Sequence, residues 1–224
     1  MKKTLIWVFA ISASVIFIIL VSLQVWDTGD KNTQSTDTKQ FSIVKDTAAV
    51  VEANVGYKEI DYPTPKYEKD VVNDVQGVIL HHTAEPTVER SLAILTTRER
   101  NVSTHVVIDT DGTRYILAKP ERVTYHAGLS ILNGRESCNN FTIGIEFQGN
   151  TLESPLTENQ IYSAIEYIKP IIKKYNIPIE NIVTHEMVRT AYKEKYPHKK
   201  CSGKIDITQE EYKRFIGVLN ICIE

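Results

Sequence analysis

Histidines are the residues of this chain best able to do chemistry, and two of the six follow short apolar runs that predict buried strands. His81 ends the run at 78–80 and His185 ends the run at 182–184, while Cys201 lies in a lysine-rich turn further on. Two imidazoles and one thiolate would leave the fourth tetrahedral position of a zinc ion open to water, as in catalytic zinc sites. Spacing alone leaves an alternative open, because a single histidine is more often a surface residue or a satisfied core residue than a ligand.

The predicted strands form the scaffold that must hold these side chains. Besides the two runs already named, residues 142–147 form a strand, in which Ile143 and Ile145 point to one face and Glu146 to the other. Residues 105–117 predict a hairpin, because its central Asp-Gly supplies the positive φ angles that a tight turn needs.

Three helices complete the predicted fold. One starts at Thr87, a second follows the capping box of Thr157 and Gln160, and a third follows Thr208, with Glu211 at capping distance. Strands that alternate with amphipathic helices predict an α/β fold with a mixed central β-sheet flanked by helices.

Length, charge and cysteine content exclude several classes. The chain has 224 residues and a formal net charge of −2, which suits one medium domain with an appendage. We expect no nucleic acid partner, because a general nucleic-acid binder needs a basic face. Three cysteines cannot form a disulfide scaffold.

The N-terminal segment predicts a membrane anchor. Residues 4–26 carry no charge, follow Lys2 and Lys3, and have Trp7 and Trp26 near their ends. The lysines would keep the short N-terminus in the cytoplasm and place the rest of the chain outside it, on the periplasmic or cell-envelope face. The alternative is a cleaved signal peptide and a secreted protein, although no small-x-small cleavage site ends the segment.

Four motifs occur in order along the folded part: VILHHTA at 78–84, STHVVIDTDGT at 103–113, YHAGLS at 125–130 and GRESCNNFTIGIE at 134–146. Together they resemble the type 2 N-acetylmuramoyl-L-alanine amidase family, which includes AmpD-like amidases, phage-lysozyme-type amidases and peptidoglycan recognition proteins. The resemblance covers residues 75–207. It implies a zinc amidase domain (46–224) that binds one Zn²⁺. The uncharged N-terminal segment predicts a membrane anchor or signal (1–26), and the polar stretch after it predicts a linker (27–45).

The resemblance implies a set of metal ligands. His81 and His185 match the first two, and the third falls on Cys201, because Lys199-Lys200-Cys201-Ser202-Gly203 matches the family's Lys-x-Cys/Asp-Pro-Gly turn. Two departures keep alternatives open. Ser202 replaces the proline, and the gap after His185 is longer than usual, with residues 190–197 as an insertion, so His198 and Asp206 are the alternative third ligands.

The resemblance also implies catalytic roles. Glu146 matches the general base of AmpD-like members, and Thr104 stands where phage-type members have a tyrosine. Lys199 matches a lysine that stabilises the oxyanion, His126 a substrate contact, and His105 a structural position. The plain alternatives are a solvated carboxylate for Glu146 and a solvated lysine for Lys199.

The expected function is a zinc amidase that cuts the bond between N-acetylmuramic acid and L-alanine. The expected partners are peptidoglycan or a muropeptide and, through the N-terminal helix, the membrane; the protein is expected to be a monomer. The alternative from another class is a peptidoglycan receptor without catalysis. A zinc peptidase is disfavoured, because His185-Glu186 is not followed by a second histidine at HExxH spacing.

Overall fold

The computed structural model describes residues 56–65, 67–201 and 206–223. The predicted anchor at 4–26 and the linker at 27–45 lie outside these residues. Within the described part of the chain, no helix is both long enough and apolar enough to span a bilayer.

A six-stranded mixed sheet organises the described residues; its strands are β1 (Glu59–Asp61), β3 (Gly77–His82), β4 (Val106–Ile108), β5 (Arg114–Ile116), β9 (Thr142–Phe147) and β10 (Ile182–Thr184). Their order in the sheet is β1-β5-β4-β9-β3-β10. Strands β4, β9, β3 and β10 run parallel to one another, β5 is antiparallel to β4, and β1 is parallel to β5. The predicted strands and the hairpin are therefore confirmed.

Among the residues that the structure describes, two small antiparallel pairs of strands lie outside this sheet. β2 (Glu68–Val72) pairs with β6 (Arg122–Val123), and β7 (Ile131–Leu132) pairs with β8 (Arg135–Glu136). Neither pair was predicted. The sequence of β2, EKDVV, lacks the alternation of apolar and polar residues that signals a strand, and all five residues are exposed.

In the described part of the chain, four helices flank the sheet: α1 (Val88–Thr96), α2 (Glu158–Tyr175), α3 (His185–Lys195) and α4 (Gln209–Ile223). Thr87 caps α1, and Thr157 with Gln160 forms the predicted capping box of α2. The backbone N–H of Glu211 lies 3.4 Å from the Thr208 hydroxyl at the start of α4. Helix α3 was not predicted; it contains most of the residues that the sequence interpretation treated as an insertion.

Alternation along the central strands separates a core face from a site face. Ile143, Ile145 and Phe147 of β9 pack in the main core with apolar residues of α2 and α4. Ile79 of β3 packs in a second core with Val188 of α3, on the other face. Each large apolar side chain buried in these cores contributes roughly 1.5–3 kcal/mol, so the strands that carry the site are held from both faces.

Candidate metal centre

Strand register brings the predicted site residues together. His81 of β3 is the Cα partner of Glu146 on β9, and Leu80 is the partner of Thr184 on β10. His185 directly follows Thr184, so it lies beside His81 where β10 passes into α3. Because parallel strands end at one edge of a sheet, residues far apart in sequence meet there.

Asp206 completes a group of three possible metal ligands with the two histidines. One donor atom from each residue lies within 4.8 Å of the others. Asp206 Oδ2 is 2.9 Å from His185 Nδ1, and Asp206 Oδ1 is 3.6 Å from His81 Nδ1. The Asp206 side chain is fully buried and His81 is 2% exposed, so the carboxylate faces the imidazoles away from bulk water.

The hydrogen bonding of His185 fits a bound cation. His185 Nε2 lies 3.2 Å from the carbonyl oxygen of Ala127, so this nitrogen carries the hydrogen and donates it. Nδ1 of the neutral ring then directs a lone pair at the Asp206 carboxylate. Two such groups repel each other at this distance unless a proton or a metal cation lies between them.

The donor set and its spacing fit zinc. Two imidazole nitrogens and a carboxylate oxygen are typical catalytic zinc ligands, with a fourth position left for water or substrate. Ligand atoms roughly 2.0–2.2 Å from zinc stand about 3.4 Å apart in a tetrahedron. The distances from the Asp206 carboxylate to the two histidines, 2.9 Å from Oδ2 to His185 and 3.6 Å from Oδ1 to His81, lie on either side of that spacing.

The third group beside the histidines is thus Asp206, held above as an alternative, and not Cys201. The half-buried Cys201 thiol lies 4.0 Å from the carbonyl oxygen of Lys199, and His198 is exposed. Asp206 is instead followed by Ile207, which is buried in the main core, and by Thr208, whose N–H donates to Thr151. These neighbours anchor Asp206 at the sheet.

A sequence signal for Asp206 was present. Lys204-Ile205-Asp206 fits the Lys-x-Cys/Asp part of the pattern, although Ile207 and Thr208 stand where the family has proline and glycine, whereas Gly203 keeps that glycine after Cys201. Lys204 lies outside the described residues. Lys199 is exposed, and its ammonium group lies 5.1 Å from the centre of the Tyr196 ring rather than against a ligand.

Glu146 lies on the site face with one oxygen unsatisfied. Its side chain is buried, and Oε2 has no hydrogen-bond partner among the described residues. A buried carboxylate oxygen without a partner is costly, so it is typical of a group that acts on water, a ligand or a substrate. The hydroxyl of Thr104 is also buried and without a partner among these residues.

His126 packs against β9 because the strand has a glycine there. A Cβ atom on Gly144 would lie 2.6 Å from the His126 ring and 2.8 Å from the Thr104 hydroxyl. His126 Nδ1 is 3.2 Å from His81 Nε2, and His126 Nε2 is 3.4 Å from the Thr142 hydroxyl. Burial is the main cause that holds the pKa of His126 well below its usual value, and any charge on the neighbouring His81 would lower it further. Both ring nitrogens face protein groups; its predicted contact with substrate stays a prediction.

His105 has the surroundings of a structural residue. Its Nε2 donates to the carbonyl of Arg122 at 2.9 Å, and its Nδ1 accepts from the N–H of Gly144 at 3.0 Å. The Thr124 hydroxyl lies 3.1 Å from the same Nδ1. Burial lowers the pKa of His105 to about 4, so the ring is neutral near pH 7.

Comparison with known proteins defines the class. The family model described as N-acetylmuramoyl-L-alanine amidase matches residues 72–204, more than half of the chain. The chain therefore belongs to the type 2 N-acetylmuramoyl-L-alanine amidase family.

Individual relatives agree with that membership. The chain is similar to the 1,6-anhydro-N-acetylmuramyl-L-alanine amidase AmpD of Haemophilus influenzae, with 39% identity over 90 residues, 39% of this chain and 47% of that protein. It is also similar to the N-acetylmuramoyl-L-alanine amidase AmiD of Escherichia coli, with 29% identity over 126 residues, 50% of this chain and 45% of that protein. The chain thus matches about half of the length of these curated relatives.

A solved structure shares the fold. The N-acetylmuramoyl-L-alanine amidase LysC from Clostridium intestinale URNW superposes with a TM-score of 0.53 at 21% identity, over 73% of this chain and 97% of that one. The mixed sheet with flanking helices is therefore the fold of a type 2 amidase.

Proposed function

We propose that the protein is a zinc-dependent N-acetylmuramoyl-L-alanine amidase, which hydrolyses the amide bond between N-acetylmuramic acid and L-alanine in peptidoglycan or muropeptides. The observation that carries the proposal is the buried group of His81, His185 and Asp206 beside Glu146, in a domain of the amidase family. The printed names of AmpD and AmiD support the substrate class.

His81, His185 and Asp206 would hold one Zn²⁺. When bound there, zinc supplies Lewis acidity, which polarises the scissile carbonyl and lets water lose a proton near neutral pH. The carboxylate of Asp206 offsets the charge of the cation, and its burial keeps this attraction strong. The imidazoles are held by the sheet, so the ligands need little rearrangement to bind.

Glu146 serves as the general base in this mechanism. Its buried Oε2 accepts a proton from water as the water oxygen bonds to the carbonyl carbon of the substrate. Glu146 then returns the proton to the nitrogen of L-alanine as the carbon–nitrogen bond breaks. The products are a free carboxylic acid on the muramyl lactyl group and a peptide with a free amino terminus.

Mass spectrometry of purified muropeptides incubated with the full chain tests the activity. Cleavage should give peptide-free muramyl sugar together with a peptide that begins with L-alanine, and a chelator should stop it until zinc is restored. Binding without cleavage would instead establish a receptor, and cleavage within the stem peptide would establish a peptidase. Parallel assays of anhydro-muropeptides and intact peptidoglycan identify the preferred substrate.

We further propose that residues 4–26 anchor the protein in the membrane with its amidase domain outside the cytoplasm. The support is the uncharged stretch with two lysines before it. Fractionation of native protein should recover the full chain with the membrane, accessible to external protease. A soluble form that begins near Asp27 would contradict the anchor and indicate a secreted enzyme.

A further inference from the structure

The loop of His126 and Ala127 contacts both histidines of the candidate metal centre. The His126 ring lies against His81, with 3.2 Å between His126 Nδ1 and His81 Nε2. The carbonyl oxygen of the next residue, Ala127, accepts the Nε2–H of His185 at 3.2 Å. Two consecutive residues therefore meet the two imidazoles at the nitrogen that points away from Asp206.

A chain of hydrogen bonds determines which nitrogen of His81 carries its hydrogen. The Thr142 hydroxyl donates its one hydrogen to the carbonyl of Cys138 at 2.7 Å. It can then only accept from His126 Nε2, 3.4 Å away, so the hydrogen of the neutral His126 ring is on Nε2. His126 Nδ1 therefore accepts, and His81 Nε2 donates to it.

The consequence lies on the other side of the His81 ring. With its hydrogen on Nε2, a neutral His81 presents the lone pair of Nδ1 toward Asp206, 3.6 Å away. His185 has the same tautomer, with its hydrogen on Nε2, because this N–H donates to the carbonyl oxygen of Ala127. Both imidazoles thus direct lone pairs to the point where a metal would bind, as outer partners of metal-ligating histidines usually ensure.

Hydrogen bonds from a single neighbouring turn hold the loop of His126 and Ala127 in place. Asn139 Oδ1 accepts the backbone N–H groups of His126 at 3.1 Å and Ala127 at 2.7 Å. Asn139 lies in the 3₁₀ turn Cys138–Asn140, the same turn whose Cys138 carbonyl ends the hydrogen-bond chain. Gly144 leaves room for the ring of His126 below it. The His126 ring and the backbone of His126 and Ala127 are therefore held by the same small group of residues.

We propose that His126 and the Ala127 carbonyl, held by Asn139, are a positioning element that fixes both histidine ligands in the Nε2–H tautomer and so prepares them to bind zinc. The proposal rests on the proposed zinc site. Within it, His126 acts through His81 and is a positioning residue rather than a group that reacts with substrate.

The tautomer is measured directly by ¹⁵N NMR of the metal-free full chain with labelled histidines. His81 and His185 should both show the Nε2–H tautomer. His126→Leu should remove this preference from His81 and leave His185 unchanged. A wild-type His81 with its hydrogen on Nδ1 would overturn the proposal, whatever the variants do.

Zinc affinity gives the second measurement, by competition between the full chain and a chelating dye. His126→Leu and Asn139→Ala should weaken zinc binding by about 10- to 100-fold. His126→Asn, which keeps an acceptor close to the position of Nδ1, should restore most of the affinity. Thr124→Val is the matched control, because Thr124 also contacts a buried histidine, His105, but no ligand.

The outcomes separate the two proposals. If the wild type binds no zinc, the proposed function fails and the positioning role fails with it. If the wild type binds zinc and His126→Leu binds it equally well, the zinc site stands and the positioning role is wrong. Equal losses in His126→Leu and Thr124→Val would mean general damage to the core, and would also contradict a specific role.

Discussion

The candidate metal centre is assembled from two regions that hold their ligands in different ways. His81 belongs to a strand, and His185 follows one directly, so parallel register determines where both lie. Asp206 instead follows helix α3 in the chain without belonging to a strand, and it lies at the site next to Ile207, which is buried in the main core. Strand pairing therefore determines the positions of His81 and His185, whereas the position of Asp206 depends on where the connection after α3 ends.

This difference explains which features each region needs. The strand region needs apolar residues at alternate positions, so that Ile145 is buried on one face and Glu146 stands on the other. The connecting region needs an anchor after the ligand, supplied by Ile207 and by the hydrogen bond from Thr208 to Thr151. The turn at Cys201 lacks a comparable anchor among the described contacts.

Exchange of the third ligand gives the largest expected effect. Asp206→Ala should reduce zinc content well below one ion per chain and abolish activity, because it removes the carboxylate that meets both histidines. Cys201→Ala, the matched variant, and His198→Ala should keep zinc and activity. Metal analysis of the purified full chains checks this. Loss of zinc from Cys201→Ala, with zinc retained by Asp206→Ala, would make the thiol the ligand.

Replacement of the general base should separate chemistry from metal binding. Glu146→Gln keeps the size of the side chain but cannot accept the proton, so turnover should fall by roughly 10²–10⁴-fold while zinc content is unchanged. Thr104→Val is the control, since the Thr104 hydroxyl is another buried oxygen without a partner among the described residues. Steady-state rates with a defined muropeptide measure both. Near-native turnover of Glu146→Gln would remove this residue from the mechanism.

The identity of the lysine that stabilises the oxyanion should depend on which residue is the third ligand. In the family pattern the lysine stands two residues before the third ligand. If Asp206 is that ligand, the matching lysine is Lys204, whereas Cys201 as ligand would make it Lys199. Lys204→Ala should lower kcat by about 10²–10³-fold, the usual cost of a lost oxyanion donor. Lys199→Ala should have little effect, because that ammonium lies over Tyr196. The reverse order of effects would return the role to Lys199.

Sequence reasoning succeeded where local pattern and register act together. Apolar runs identified β3, β9 and β10, and a capping box identified the start of α2. The alternation in β9 placed Glu146 on the face opposite the main core. These features depend on residues close together in sequence, which is why they are visible without a structure.

The features that sequence reasoning missed depend on distant partners. Helix α3 is mostly polar and buries few residues, Val188, Arg189 and Tyr192 among them, so its periodicity is weak. Without that helix, the length of the connection after His185 could not be judged. Two segments with the Lys-x-Cys/Asp sequence were therefore both candidates to supply the third metal ligand. The packing of Ile207, which decides between them, is a tertiary contact.

The smallest expected effect concerns the strand region and its stability rather than its chemistry. Burial lowers the pKa of His105 from 6.5 to about 4 in the folded protein, and a proton on Nδ1 would oppose the N–H of Gly144. Between these two pH values the unfolded chain binds more protons than the folded one, so the free energy of unfolding should fall as pH drops from 6.5 toward 4. The loss should amount to about 3 kcal/mol across that window, with no contribution above it. Denaturant unfolding of the metal-free full chain at several pH values should show a flatter dependence for His105→Asn than for wild type, even though the variant is less stable at neutral pH. The exposed His198→Asn should keep the wild-type slope, and an unchanged slope in His105→Asn would mean that another group carries the pH dependence.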